Sequence, residues 1–197
     1  MRKLIAFMGK MGSGKTTAAQ YLVEKYKFTQ VSFAARLKEI ATKACRMKEK
    51  DRELLQNLGS MIRDDVPTYW LDVIKKRVEA EPEASFVLDD LRFKNELEML
   101  LKLGFLVIRL ATPREHRFER MGIPLPPTPT EQENHISETD LDKTIPLYTY
   151  TNMGSKEGLQ VFVEHVIQDY RSLWAQQDEI FTRAYAPTEW LEQQGIT

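Results

Sequence analysis

Gly9-Lys10-Met11-Gly12-Ser13-Gly14-Lys15-Thr16 satisfies the spacing G-x-x-x-x-G-K-[ST] at every position, directly after the apolar run Leu4-Ile5-Ala6-Phe7-Met8. A short strand that runs into spaced glycines and then a helix leaves few folds open. Ala18, Ala19, Leu22, Val23 and Tyr26 recur at helical spacing behind the loop and predict that helix. The glycines let the backbone turn its N–H groups inward around a concavity suited to anionic oxygens, and the helix adds its positive N-terminal end. Residues Gly9 through Thr16, with Thr17 behind them, are therefore expected to hold a nucleoside triphosphate. In that reading Lys15 reaches the β- and γ-phosphates, and the Thr16 hydroxyl binds the Mg²⁺ that bridges them.

With 197 residues, 42% of them hydrophobic, the chain can bury one good core and a small inserted subdomain. A net charge of −1 gives no broad basic field for coating a nucleic acid polymer, so the expected partner is a small anion. The single cysteine, Cys45, falls among Leu37, Ile40, Ala41 and Ala44 at helical spacing and is expected to be a buried thiol in a reducing compartment. The longest apolar runs fall well short of a membrane span, and the N-terminal one is too short for a signal peptide, so a cytoplasmic location is expected.

Alternating strand and helix patterns predict an α/β fold, a five-stranded parallel sheet with helices on both faces. The expected strands are 3–8, 29–33, 85–89, 105–110 and 145–151. A helical flap is expected over about 34–81, from three apolar-periodic segments: Leu37, Ile40, Ala41 and Ala44; Leu54, Leu55, Leu58, Met61 and Ile62; Trp70, Val73, Ile74 and Val78. Thr112-Pro113-Arg114-Glu115 reads as a capping box opening a short helix that ends near Gly122. Prolines 124, 126, 127 and 129 then forbid regular structure, and the loop is either part of a lid over about 112–140 or a surface connection. Leu159, Phe162, Val163, Val166, Ile167, Tyr170, Leu173 and Trp174 trace one continuous helix face behind an N-cap at Ser155. Residues 1–175 thus form one domain, and 176–197 a helical extension whose Trp190 and Leu191 dock on the body or make a homodimer.

Ser85-Phe86-Val87-Leu88-Asp89-Asp90 is an apolar strand ending in two carboxylates, at the sheet edge where ligands of such folds lie. One acid is expected to face the Mg²⁺, unless both only cap the next helix near Phe93. Arg109 closes the fourth strand, and Arg114, Arg117 and Arg120 follow it; the last three either form a solvated, salt-bridged helix face with Glu115 and Glu119, or some of these guanidiniums close over a transferring phosphoryl group. Arg36, Lys38, Arg52, Arg63 and Arg92 add cations in or beside the flap, where an acceptor carrying its own phosphate needs a second anion site. His135 stands without a second histidine or cysteine at ligand spacing, which disfavours zinc.

The segments FAARLKE (33–39), LLQNLGSMIR (54–63) with Trp70, DLRFKNE (90–96), FLVIRL (105–110) and HISETDLD (135–142) resemble the motif series of bacteriophage-type deoxynucleoside monophosphate kinases, members of the P-loop nucleoside monophosphate kinase group. The resemblance runs from about residue 3 to residue 165 and departs at Arg36, where the pattern carries proline. It implies transfer of the γ-phosphoryl group of ATP to a (deoxy)nucleoside monophosphate, giving the diphosphate, with Mg²⁺. It further implies Asp90 and Arg92 as catalytic residues beside Lys15, Arg114 and Arg117, with Asp90 rather than Asp89 joining Thr16 on the metal. Arg36, Lys38, Arg63, Arg92, His135, Ser137 and Glu138 would then bind the acceptor.

The sequence leaves two alternatives open. One is a P-loop kinase for another small phosphorylated metabolite such as phosphomevalonate; the other is a non-catalytic nucleotide-binding switch, although no N-K-x-D guanine-reading motif is present. Donor choice between ATP and GTP is not encoded in these motifs.

Overall fold

The computed structural model describes residues 2–49, 51–144 and 148–185, with side chains for all of these except Arg52 and 180–185. Five strands form one parallel sheet in the order β2-β3-β1-β4-β5: β1 Leu4–Met8, β2 Thr29–Val31, β3 Phe86–Leu91, β4 Leu106–Ala111 and β5 Tyr148–Thr151. The central strand β1 is buried along its whole length, as the unbroken apolar run LIAFM requires of a strand covered on both faces. Its side chains alternate between two cores. Leu4, Ala6 and Met8 pack with Phe86, Leu88, Trp70 and Ile74, while Ile5 and Phe7 pack with Val87, Ala19, Leu22 and Val163. Full burial of each large apolar side chain here contributes about 1.5–3 kcal/mol.

One face is covered by α1 (Lys15–Tyr26), α9 (Lys156–Gln168) and α10 (Tyr170–Tyr185), and the other by α5 (Lys94–Lys102) and the flap. The flap comprises α2 (Phe33–Ala44), α3 (Arg52–Asp65) and α4 (Tyr69–Ala80), the first two capped by Ser32 and Asp51, which accept from Ala35 and Leu54 N–H groups. Between β4 and β5 lie α6 (Arg114–Met121) and two single turns, α7 (Glu131–Asn134) and α8 (Ile136–Thr139).

Four expectations need correction. Cys45 is exposed, because it caps the end of α2 where the helix runs past its packing partners; Ala44 before it is exposed too. The capping box at Thr112 does not form: Pro113 is the N-cap, and the Thr112 hydroxyl donates instead to the carbonyls of Ser13 and Asn152. The helix read as continuous from Ser155 breaks at Asp169 into α9 and α10. Finally, α10 passes the expected domain boundary at 175 without interruption and is tied to the sheet. Gln177 is buried, accepting from Val107 N–H (2.7 Å) and donating to the Phe105 carbonyl (2.6 Å). Tyr170 exchanges hydrogen bonds with both backbone groups of Leu4. Trp190 and Leu191 lie outside the described residues, as do 145–147 of the expected fifth strand.

Candidate active site

The carboxyl ends of β1, β3 and β4 meet the loop 9–14 on one rim of the sheet. The loop is made by close approach. At Gly9, with φ 141°, a Cβ would stand 2.4 Å from the Leu110 carbonyl oxygen and 2.9 Å from Ser13 Oγ. At Gly12, with φ 80°, it would stand 2.9 Å from the Arg117 carbonyl oxygen, so α6 rests directly on the loop. Gly9→Ala must push β4 off the loop, and a cost of about 1–3 kcal/mol is expected. That lowers the thermal midpoint by several degrees; an unchanged midpoint in a melting experiment refutes the packing argument.

Lys15 is buried, and its Nζ donates to the carbonyls of Gly9 (2.7 Å) and Lys10 (2.8 Å). Burial, helped by the nearby Arg92 charge, pulls its pKa down from 10.5 to about 7, against the opposing pull of Glu138, Asp89 and Asp90. Ser13 Oγ and Arg117 Nε are buried beside the loop without a hydrogen-bond partner. Unsatisfied polar atoms around a cradle of N–H groups fit a polyanionic ligand.

The two carboxylates of β3 do different work. Asp89 Oδ2 accepts from Thr16 Oγ1 at 2.7 Å, and its Oδ1 accepts from Gln30 at 2.9 Å. Asp90 turns to the other face, where it accepts from Ser32 Oγ (2.7 Å), Ala34 N–H (2.7 Å) and Phe33 N–H (3.2 Å) at the start of α2. Burial raises its pKa against those three donors. The pairing of Asp90 with Thr16 on a metal is thereby corrected, since the carboxylate beside the Thr16 hydroxyl belongs to Asp89. Nor do both acids cap α5: the N–H groups of Arg92 and Phe93 donate to Glu96. Thr16 and Asp89 together present hard oxygen donors of the kind Mg²⁺ selects. Among the described residues no three His, Cys, Asp or Glu converge on a metal, and no helix is long and apolar enough to cross a membrane.

The arginines after β4 divide likewise. Arg114 is committed to the proline-rich loop: it forks onto Glu133 at 2.9 Å through Nε and Nη2 and donates to the carbonyls of Pro126 and Thr128. Its hydrogen bonds hold the Glu133 carboxyl down at about 2. Arg120 donates to the carbonyls of Asn152 and Gly154. Arg117 is buried against the loop, donating to the Met11 carbonyl at 3.1 Å with Glu133 at 3.5 Å. Of the two arginines expected to meet the phosphoryl group, the structure thus turns Arg117 toward the loop 9–14 and uses Arg114 as a fastener of the proline-rich segment.

Across from the loop, the Arg92 guanidinium pairs with the Glu138 carboxylate. Arg63 stacks on the Phe93 ring, 3.9 Å from its centroid, with Glu96 Oε1 at 3.4 Å. Arg36 pairs with Glu39 and reaches Tyr69, within the flap, and Lys38 is exposed on α2. His135 and Ser137 satisfy one another at the start of α8, through Nδ1 and Oγ at 2.8 Å. Arg109 donates to the carbonyls of Leu141 and Thr144. A cavity of about 190 Å³ lies between Gly9, Arg92, Arg109, Glu138 and Asp142. That is below the ~300–1,000 Å³ of typical small-molecule sites.

Sequence reasoning placed Asp89 second to Asp90 and missed Glu96, Glu133 and the buried Asn152, whose Nδ2 donates to the Ser13 carbonyl at 2.9 Å. For Asp89 a signal existed. Val87 and Asp89 share one side of an alternating strand, and Val87 packs in the core that contains α1.

The family described as AAA domain matches the chain over residues 5–139. The "Putative deoxynucleotide monophosphate kinase" of Acanthamoeba polyphaga mimivirus is 29% identical over 151 residues, covering 56% of this chain and 74% of that protein. "Uncharacterized protein ORF76" of Ictalurid herpesvirus 1 (strain Auburn) is 31% identical over 148 residues, covering 72% of this chain and 57% of that protein. Among solved structures, TT1252 from Thermus thermophilus superimposes with a TM-score of 0.59 at 17% identity, over 85% of this chain and 97% of that one. Shikimate kinase from Acinetobacter baumannii superimposes with a TM-score of 0.50 at 18% identity, over 86% and 95%. The structural likeness establishes the shared three-layer fold.

Proposed function

We propose, from the premise that this chain belongs to the AAA-domain family and within it to the P-loop kinases, that it phosphorylates a deoxynucleoside monophosphate. The donor is ATP, with Mg²⁺, and the product is the diphosphate. One observation carries the reading: two anion-binding groups from opposite sides, the Met11 N–H of the loop and the Arg92 guanidinium beyond β3, converge on a single carboxylate, that of Glu138. Two phosphates that must meet in line need such an arrangement. The name of the mimivirus relative supports the choice of acceptor.

The chemistry asks little of acids and bases. The second ionisation of a monophosphate lies near pH 6, so its attacking oxygen is already anionic at neutral pH. The protein's work is to bring two polyanions together and to offset charge on the moving phosphoryl group. Lys15 does this from the donor side and Arg92 from the acceptor side, while Arg117 buttresses the loop between them. Mg²⁺ would be held by Thr16 and Asp89, and when bound it neutralises charge on the donor oxygens. Arg63 of the flap, fixed on Phe93, extends the cationic wall, and Arg36 and Lys38 stand exposed on α2.

ADP release should rise with at least one member of a panel of deoxynucleoside and ribonucleoside monophosphates. Arg92→Met should raise the KM of that acceptor more than tenfold, while the ATP affinity stays within threefold. Stimulation by a phosphorylated metabolite such as phosphomevalonate and by no nucleotide would replace the acceptor class. Silence across the whole panel, with ATP bound, would favour a nucleotide-binding switch.

A further inference from the structure

We infer that Glu138 is a built-in competitor for the phosphate site, a carboxylate that must leave before donor and acceptor phosphates can meet; this rests on the kinase reading of the same site. The segment 135–144 crosses the rim as a strap with fasteners on three elements. At the loop, Met11 N–H donates to Glu138 Oε2 at 3.1 Å, and Lys10 Nζ donates to the Glu138 carbonyl (2.5 Å) and to Asp142. At the turn after β3, Arg92 pairs with the Glu138 carboxylate and Lys94 N–H donates to Asp140 (2.8 Å). At β4, Arg109 holds the Leu141 and Thr144 carbonyls.

The Glu138 side chain is only 11% exposed, so its carboxylate is enclosed by the groups that would bind a phosphate. It presents two oxygens and one negative charge, which mimics one edge of a phosphate and falls short of its full charge. A polyanion therefore displaces it, at the expense of the Arg92 pair. The small cavity beneath the strap agrees, since Glu138 and Asp142 form part of its wall and a nucleotide needs more room. Displacement has a second effect: Arg92 is neutralised while Glu138 holds it and becomes available when the carboxylate swings away.

The test is calorimetric titration of the full chain with inorganic tripolyphosphate, a probe that carries neither base nor sugar. Glu138→Gln keeps the shape and removes the competing charge, and it should bind the probe about tenfold more tightly than the unaltered chain. Glu131→Gln is the control for a general change of field, because Glu131 is exposed and its neighbour Gln132 lies against Met11 Sδ at 3.9 Å. That variant should stay within twofold. Equal gains in the two variants, no gain in Glu138→Gln, or no uptake of tripolyphosphate by any form overturns the inference. The acceptor panel tests the kinase reading separately, since binding of tripolyphosphate involves no turnover.

Discussion

Lys15→Ala should lower kcat by about 10²–10³-fold, the usual loss when one preorganised donor to a transition-state oxygen is removed. The structure adds a second, independent readout. Lys15 sits in a buried position that pulls its pKa from 10.5 to about 7, so at pH 8 it is mostly neutral before a donor arrives. A triphosphate placed against it favours the charged form and draws a proton from solution. At pH 8 the phosphates are fully ionised and take up none themselves, so ATP binding should be accompanied by uptake of up to about one proton. Calorimetry in buffers of different ionisation enthalpy measures it. Lys15→Ala should abolish the uptake, and an unaltered uptake in that variant would assign the proton elsewhere.

The same shift fixes a pH dependence of folding. Between about pH 7 and 10.5 the unfolded chain holds a proton on Lys15 that the folded chain has released. Stability therefore rises with pH across that window, and the penalty for burying the charged amine is fully present below it.

The second large effect separates two neighbours. Asp89→Asn should leave the thermal midpoint nearly unchanged, because the side chain stands at the open rim and its loss strands no buried group. Turnover should nevertheless fall at least about 100-fold, and the Mg²⁺ concentration needed for half-maximal rate should rise. Asp90→Ala should do the reverse. It strips partners from the Ser32 hydroxyl and from the N–H groups of Phe33 and Ala34, at about 1–3 kcal/mol for each donor left unsatisfied. Loss of stability and a loosened flap follow, with the Mg²⁺ requirement of the remaining activity unchanged. If Asp90→Ala shifted the Mg²⁺ requirement and Asp89→Asn did not, the metal assignment would revert to Asp90.

That contrast marks how far the sequence could be read. The loop and its strand were legible because their meaning is local: each residue type between Gly9 and Thr16 acts within its own turn. Strand and helix order followed from periodicity in the same way, and the sheet has the five parallel strands expected of it. The partners of the polar side chains were not legible. Thr16 meets Asp89 from 73 positions away, and Arg92 meets Glu138 from 46, so which donor meets which acceptor is decided by how elements cross. Resemblance favoured Asp90, whereas the alternation of β3 turns Asp90 to the flap side with Phe86 and Leu88. Cys45 failed for a related reason: helical spacing says which side of α2 faces inward but not where its neighbours stop.

The clasp made by α10 bears on the order in which the chain can be completed. β1 can pair with β3 once residue 91 has been synthesised, yet the backbone groups of Leu4 and Phe105 obtain their side-chain partners from Tyr170 and Gln177. A nascent chain emerging from the ribosome therefore carries a sheet whose lower rim is still wetted by water. That rim is sealed after some eighty further residues have been added.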